Sequence, residues 1–183
     1  MAIESAALRR RILTSFVILL ASALCGCHGR DLDLSDRTEE EPPLLGARID
    51  MADPRTAPQL VSGWWDVEDR AWRWTARKFD VILRPPIGAA RGGAALRCNF
   101  TVPEVVFSHF KQVTLSASIQ GQPLAPEIYR RPGSALYTRD IPPDLLSAHS
   151  VRIHFELDNA MPPNKADSRE LGIIAREIGL ETR

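Results

Sequence analysis

From residue 60 onward, apolar and polar positions alternate with a period of two. Phe79, Val81 and Leu83 alternate with Asp80, Ile82 and Arg84; Leu96, Cys98, Phe100 and Val102 alternate with Arg97, Asn99 and Thr101. Val113, Leu115, Ala117 and Ile119 form a third run against Thr114, Ser116 and Ser118. Val151, Ile153, Phe155 and Leu157 form a fourth against Arg152, His154, Glu156 and Asp158. Successive side chains of a strand point to opposite faces, so each run predicts an antiparallel strand with one buried and one wet face.

The connections agree with this reading. Gln120-Gly121 sits between an alternating run and Gln122-Pro123-Leu124, which predicts a tight hairpin. Pro85 to Gly93 and Arg131 to Ser134 are Gly/Pro turns, and Pro142-Pro143-Asp144-Leu145-Leu146 predicts one helical turn. The last segment, Arg169 to Leu180, fits an amphipathic helix with Leu171, Ile174 and Ile178 on one face, but it holds Gly172 and Gly179. Each glycine costs a helix about 1 kcal/mol relative to alanine, so a strand is favoured. As a strand, Ile174, Arg176, Ile178 and Leu180 share one face, and Leu171, Ile173 and Ala175 the other. Eight or nine such strands with few helices predict an all-β fold, an antiparallel β-sandwich of jelly-roll type, over residues 59–183.

The N-terminus changes the picture from a free domain to an anchored one. Arg9-Arg10-Arg11 precedes an apolar run from Ile12 to Leu24, short for a membrane span. The run ends in Leu24-Cys25-Gly26-Cys27, which resembles a bacterial lipobox. On this reading residues 1–26 are a signal peptide, and Cys27 becomes the acylated N-terminus. Cys25 is the alternative acceptor, and an uncleaved anchor helix the alternative to cleavage. Each buried CH₂ contributes about 0.8 kcal/mol, so several acyl chains hold where one would not. The protein is then expected in the cell envelope, lipid-anchored to a bacterial membrane on its periplasmic or outer-surface side. Residues 27–58 read as a flexible tether: Asp31 to Glu41 is acidic, and prolines follow at 42, 43, 54 and 58. A coil of about 30 residues has an r.m.s. reach of roughly 30 Å.

Composition then excludes several chemistries. With 23 basic and 23 acidic residues, no general basic surface is available for nucleic acid. Once Cys25 and Cys27 are assigned to the signal and the lipid, Cys98 is left without a disulfide partner. Alternation turns it inward with Leu96 and Phe100, as an inert buried thiol. His28, His109, His149 and His154 form no HExxH or other close ligand cluster. Ser134 is not in a nucleophile elbow, and the Gly88 to Gly93 loop lacks the Lys-Ser/Thr of a phosphate loop. Asp158, Asn159, Asn164, Asp167 and Glu170 offer hard oxygens for Ca²⁺, but without EF-hand order, and Asp and Asn are ordinary turn residues. No metal, no cofactor and no catalytic constellation is expected.

All four tryptophans fall between Gly63 and Thr75, in two short strands joined by a charged turn. Gly63-Trp64, Trp72-Arg73-Trp74-Thr75 and the closing Arg169-Glu170-Leu171-Gly172-Ile173 resemble a β-sandwich module that accompanies bacterial glycosyltransferases and related cell-surface polysaccharide proteins. That family pattern is a GW, an acidic residue, an RW and a final acidic-Arg-x-Leu-Gly strand. The match runs over roughly residues 60 to 183. It implies a non-catalytic accessory or carbohydrate-linked role, although here the module follows an anchor rather than a transferase domain.

Strand parity puts Trp72, Trp74 and Ala76 on one face and Arg73, Thr75 and Arg77 on the other. The simplest assignment buries Trp65, Trp72 and Trp74. Trp64 is then left exposed beside Asp66 and Glu68, with Arg73 near, a composition suited to stacking a sugar and holding its hydroxyls. The alternative packs Trp64 inward and pairs the charges across strands. Asp66 and Glu68 are too close in sequence to flank a glycosidic bond, so hydrolysis is not expected. The sequence therefore predicts a membrane-anchored lipoprotein with a non-catalytic binding sandwich, whose partner is a polysaccharide or an envelope protein. Its alternative is a structural or assembly lipoprotein docked on an envelope complex.

Overall fold

The computed structural model describes residues 45–183. The signal segment, Cys27 and the acidic run of the tether lie outside the described residues. Nine strands form, in chain order β1 (Arg48–Asp50), β2 (Leu60–Glu68), β3 (Trp72–Leu83), β4 (Ala94–Val102), β5 (Val113–Ile119), β6 (Gln122–Tyr129), β7 (Gly133–Ile141), β8 (Val151–Leu157) and β9 (Ile174–Thr182). Every pairing is antiparallel. The four alternating runs become β3, β4, β5 and β8, and in β4, β5 and β8 burial alternates strictly along the strand. Gln120 and Gly121 both take positive φ, 50° and 80°, as a two-residue primed hairpin turn requires.

β3 is too long for one sheet and serves two. Lys78 to Leu83 pairs with β8, whereas Arg73 and Trp74 pair with β9. One layer is thus β6-β5-β8-β3 and the other β3-β9-β4-β7, with β2 following the free side of β3. At the opposite side, β7 is fastened to β6 by side chains. Tyr137 Oη donates to the Ala125 carbonyl at 2.9 Å, and Arg139 donates to the carbonyls of Ala125 and Pro126 at 2.6 and 2.9 Å. The result is an all-β, jelly-roll-like antiparallel sandwich. Its interior is aromatic at the centre: Phe79 stacks on Phe155 at 5.0 Å, and Tyr137 meets Phe155 edge-on at 6.3 Å across the layers. Cys98 is fully buried there, and burial pushes its thiol pKa up, so it stays protonated and unreactive.

The structure departs from the sequence reading, or adds to it, in three places. First, the domain begins before residue 59. β1 pairs with β9, Ile49 and Met51 are fully in the core, and the 3-10 turn Pro54–Gln59 leads into β2. The Gln59 amide locks this stretch down, accepting from Gly46 N–H and donating to the Gly46 and Ile82 carbonyls. Second, the last segment is a strand as favoured, but its faces differ from simple parity. Asn99 pairs with Glu177 and Phe100 with Ala175, leaving Arg176 as a bulge residue. The bulge lets Ala175 and Ile178 both point inward. Third, the residues between β4 and β5 form a helix, α2 (Glu104–Phe110), after a short α1 (Ala89–Gly92) in the Pro85 to Gly93 turn. Helix α2 turns only Val106 fully inward, too little for a periodic signal. Among the described residues no helix is long and apolar enough to cross a membrane.

Candidate functional site

The β2–β3 hairpin is held by most residues of the motif that marked it. Gly63 has φ +76°, and its backbone lies against Lys78 and Phe79 of β3. This contact follows from a register jump: Ser62 pairs with Asp80, but Trp64 already pairs with Thr75. Trp64 is turned onto the core, edge-on to Phe79 at 5.1 Å, and its indole N–H donates to the Asp80 carbonyl at 2.8 Å. Trp65 donates to the Glu170 carbonyl at 2.8 Å, and its own carbonyl accepts from Arg73 at 3.0 Å. Arg169 donates to Glu68 at 2.6 Å and also holds Asp167, while Glu170 accepts from Arg77 N–H. Gly172 leaves no space for a side chain against Leu157 and Thr75, and Thr75 Oγ1 accepts from Ile173 N–H. The Gly-Trp, Arg-Trp and Arg-Glu-Leu-Gly signals therefore converge in space, as a structural lock between the hairpin and the chain entering β9.

The structure does not bring together the four residues of the sugar site expected around Trp64. Trp64 packs inward, Arg73 lies beneath Trp65, Glu68 is engaged by Arg169, and Asp66 is exposed on its own. The pairing explains why. Arg73 is opposite Ala175, itself opposite Phe100, and both of those are buried, so Arg73 is on the inner side. Its Nε is buried without a partner. Trp74 is opposite Ile174, which is opposite Thr101, so Trp74 and its parity mate Trp72 are on the outer side. The parity expected from sequence holds, but Thr75 is the fully buried member of this stretch, while Trp72 is partly exposed and Trp74, also partly exposed, still packs against the core.

Trp72 and Trp74 are both partly exposed and pack edge to face, 6.2 Å apart with planes at 80°. Among the described residues their indole N–H groups donate to nothing, unlike those of Trp64 and Trp65. A trough of about 420 Å³ opens at the β9 bulge; its lining includes Ala71, the residue before Trp72, but neither tryptophan. Asp50, Asn99, Ser134, Arg176 and Glu177 supply its polar groups, and Ala71, Phe100 and Ala135 complete its lining. Asp50 comes from β1, which the sequence assigned to the tether, and Arg176 from the bulge; neither position carries a sequence signal. Asn99 and Ser134 are wet-face residues of β4 and β7, adjacent in rank to many others like them.

The outer face of the other layer carries a separate charged network. Asp80 is 7% exposed and accepts from Ser62 at 2.7 Å and Arg152 at 3.1 Å, with His154 Nδ1 at 2.9 Å. Glu156 lies 4.0 Å from His154 Nε2 and pairs with Arg77 and Lys78. Burial works to raise the Asp80 carboxyl, but the bonds from Arg152, Ser62 and His154 outweigh it and hold the pKa below the ordinary carboxylate value. A carboxyl lowered on folding stabilises the protein above its unfolded pKa, about 3.9, and that stability is lost as pH falls through the folded value. Asp80→Asn is therefore expected to cost more stability at pH 7 than at pH 3, read from urea midpoints at the two pH values. An equal loss at both would show that the ionised carboxylate contributes nothing.

The loop that offered oxygens for Ca²⁺ spends them internally. Asp158 accepts from Thr114 N–H, Asn164 from the N–H groups of Ala166 and Asp167, and Asp167 from Arg169. Among the described residues no group of three or more His, Cys, Asp and Glu side chains converges on a metal position.

No protein-family model matches the chain, and no curated protein matches it. Solved structures share the general architecture at low identity. An acetyl xylan esterase from the rumen bacterium Butyrivibrio proteoclasticus is 8% identical over 76% of this chain and 34% of its own, with a TM-score of 0.44. TmCBM27, a carbohydrate-binding module described for specific mannan recognition, is 11% identical over 76% of this chain and 98% of its own, with a TM-score of 0.41. A CBM4 module is 13% identical over 74% of this chain and 85% of its own, with a TM-score of 0.36. The chain thus spans about a third of the esterase and most of each module, and its own pairing pattern makes it an all-β antiparallel sandwich of jelly-roll type.

Proposed function

We propose that this protein is a lipid-anchored bacterial envelope protein whose sandwich is a non-catalytic carbohydrate-binding module. One observation carries the reading: a polar trough on the outer face of the β9-β4-β7 layer is reached at Ala71, directly before a pair of partly exposed tryptophans whose indole N–H groups donate to nothing among the described residues. A pyranose presents C–H groups to an aromatic face and hydroxyls to paired donors and acceptors. With planes at 80°, one indole lies flat against a ring while the other meets its edge. Asn99 and Ser134 both donate and accept, and Asp50 and Glu177 accept. The trough, about 420 Å³, is within the usual range for small-ligand sites, roughly 300–1,000 Å³. The anchor part of the proposal rests on Arg9-Arg10-Arg11, the apolar run to Leu24 and Cys27.

A glycan array with the full-length protein in detergent tests the binding reading. Trp72→Ala and Trp74→Ala are each expected to weaken binding about tenfold or more, a loss of at least about 1.4 kcal/mol. Retention of full binding by both variants, or no binding to any envelope glycan, would sink the proposal. Fatty-acid labelling in cells tests the anchor: label is expected on the wild type and absent from Cys27→Ser, and unchanged labelling of the variant would refute Cys27 as the acceptor.

A further inference from the structure

The trough does not stop at Ser134 and Ala135. Those residues also line a second hollow of about 470 Å³, formed with Ile128, Tyr129, Arg130, Arg131 and Pro132 at the β6–β7 turn. The two hollows therefore form one path, from the end of β1 across β9, β4 and β7 to that turn. The path is charged unevenly. Arg130, Arg131 and Arg176 are exposed and make no ion pair among the described residues. Elsewhere arginines are mostly spoken for: Arg48, Arg77, Arg97, Arg139, Arg152 and Arg169 each hold a carboxylate. Arg70, Arg73, Arg84 and Arg91 also make no ion pair among the described residues, and none of them lines the path: Arg73 is bonded to the Trp65 carbonyl, Arg70 precedes Ala71 in the β2–β3 turn, and Arg84 and Arg91 lie beyond the other end of β3.

The acids of the path do not offset these cations. Glu177 is paired with Arg48, and one oxygen of Asp50 accepts from Ala52 N–H. Three unpaired guanidiniums thus face one carboxylate without a cationic partner. A guanidinium presents a planar fork of donors that matches a carboxylate in two-point contact, and such bonds are about twice as strong as neutral ones. A neutral polysaccharide uses none of this. A chain of sugars bearing carboxylates does, with its acid groups on Arg176, Arg130 and Arg131 and one end at Ala71, the residue before Trp72.

Resting on the carbohydrate reading above, we propose that this site selects acidic, uronate-containing polysaccharide over neutral polysaccharide. The paired hollows give it room for more than one sugar, and the spacing of the arginines at both ends favours a repeating anionic chain over a single acid group. Exposed ion pairing is screened over about 8 Å at physiological salt, so the selectivity is salt-dependent.

The test measures binding of the full-length protein in detergent to four probes: oligogalacturonate, alginate oligomers, neutral mannan oligomers, and inorganic polyphosphate. The expected result is preference for a uronate oligomer, weakening on going from 50 to 500 mM NaCl as screening shortens. Arg176→Gln and the double variant Arg130→Gln/Arg131→Gln are each expected to lose about tenfold or more of uronate affinity, with unchanged urea midpoints because all three side chains are exposed. Binding of mannan at least as tight as uronate, or uronate binding unaltered in both arginine variants, overturns the acidic specificity while leaving the carbohydrate reading intact. Binding to polyphosphate alone, or to none of the probes, overturns both.

Discussion

Gly63→Ala is expected to destabilise the protein by more than about 3 kcal/mol, enough to threaten folding of a typical domain. Two costs combine. At φ +76° any side chain is strained, and a Cβ at this position would lie 2.0 Å from the Lys78 carbonyl oxygen and 2.8 Å from the Phe79 Cα. Both neighbours are backbone, so neither can swing aside as a side-chain tip would. β2 and β3 would have to part where the register jump joins them, and Trp64 and Asp80 would separate with them. Gly121→Ala is the matched control. Its φ is +80°, but nothing lies within 4 Å of its Cβ position, so only the conformational cost of about 1 kcal/mol remains. Urea unfolding of both variants checks the difference. Equal midpoints would mean that the close approach of the two strands at Gly63 does not exist.

Phe79→Ala is expected to cost about 3–5 kcal/mol, the usual range for removing a buried aromatic ring. Phe79 is fully buried, stacked on Phe155 and in edge contact with Trp64. The cavity would open between the two layers at the position where β3 crosses from one to the other, so collapse around it is restricted. Trp64 would lose its seat, and tryptophan emission is expected to shift to the red as its indole meets water. Phe79→Leu keeps most of the volume and is expected to lose much less. A cost under about 1.5 kcal/mol for the alanine variant would argue that Trp64 and Phe155 do not close on this ring.

Much of the fold was legible because its signals are local. Strict alternation in β4, β5 and β8 reports a pleated strand with one wet face, and Gln120-Gly121 supplies the positive φ values of a hairpin without outside help. The glycines of the last segment argued against a helix, and Gly179 does lie against the Ala47 and Arg48 backbone. The candidate site was less legible. Asp50 sits in a Pro-rich, acidic stretch whose composition resembles a linker, yet Ile49 and Met51 on either side of it are in the core. Arg176 is brought to the trough by a bulge, and a bulge depends on the partner strand rather than on the bulged residue. Trp64 lies apart from Asp66 and Glu68 because nearness in sequence says nothing of the register jump that turns Trp64 onto Phe79.

By itself the sequence determined the strands, their antiparallel character, the inward thiol of Cys98 and the parity that puts Trp72 with Trp74 and Arg73 with Thr75. Only the tertiary structure decided which of those two faces meets the interior. A period of two says which side chains share a side, and it is blind to which side another layer will cover. The apolar area of two tryptophans argued for the inner face. The pairing of Arg73 with Ala175, the Trp65 carbonyl that receives its guanidinium and the Ile173 N–H bonded to Thr75 Oγ1 turned the polar pair inward instead. Trp72 and Trp74 are left partly exposed on the other side, Trp74 still against the core, because β3 joins both layers at this point and the second layer reaches it on the arginine side.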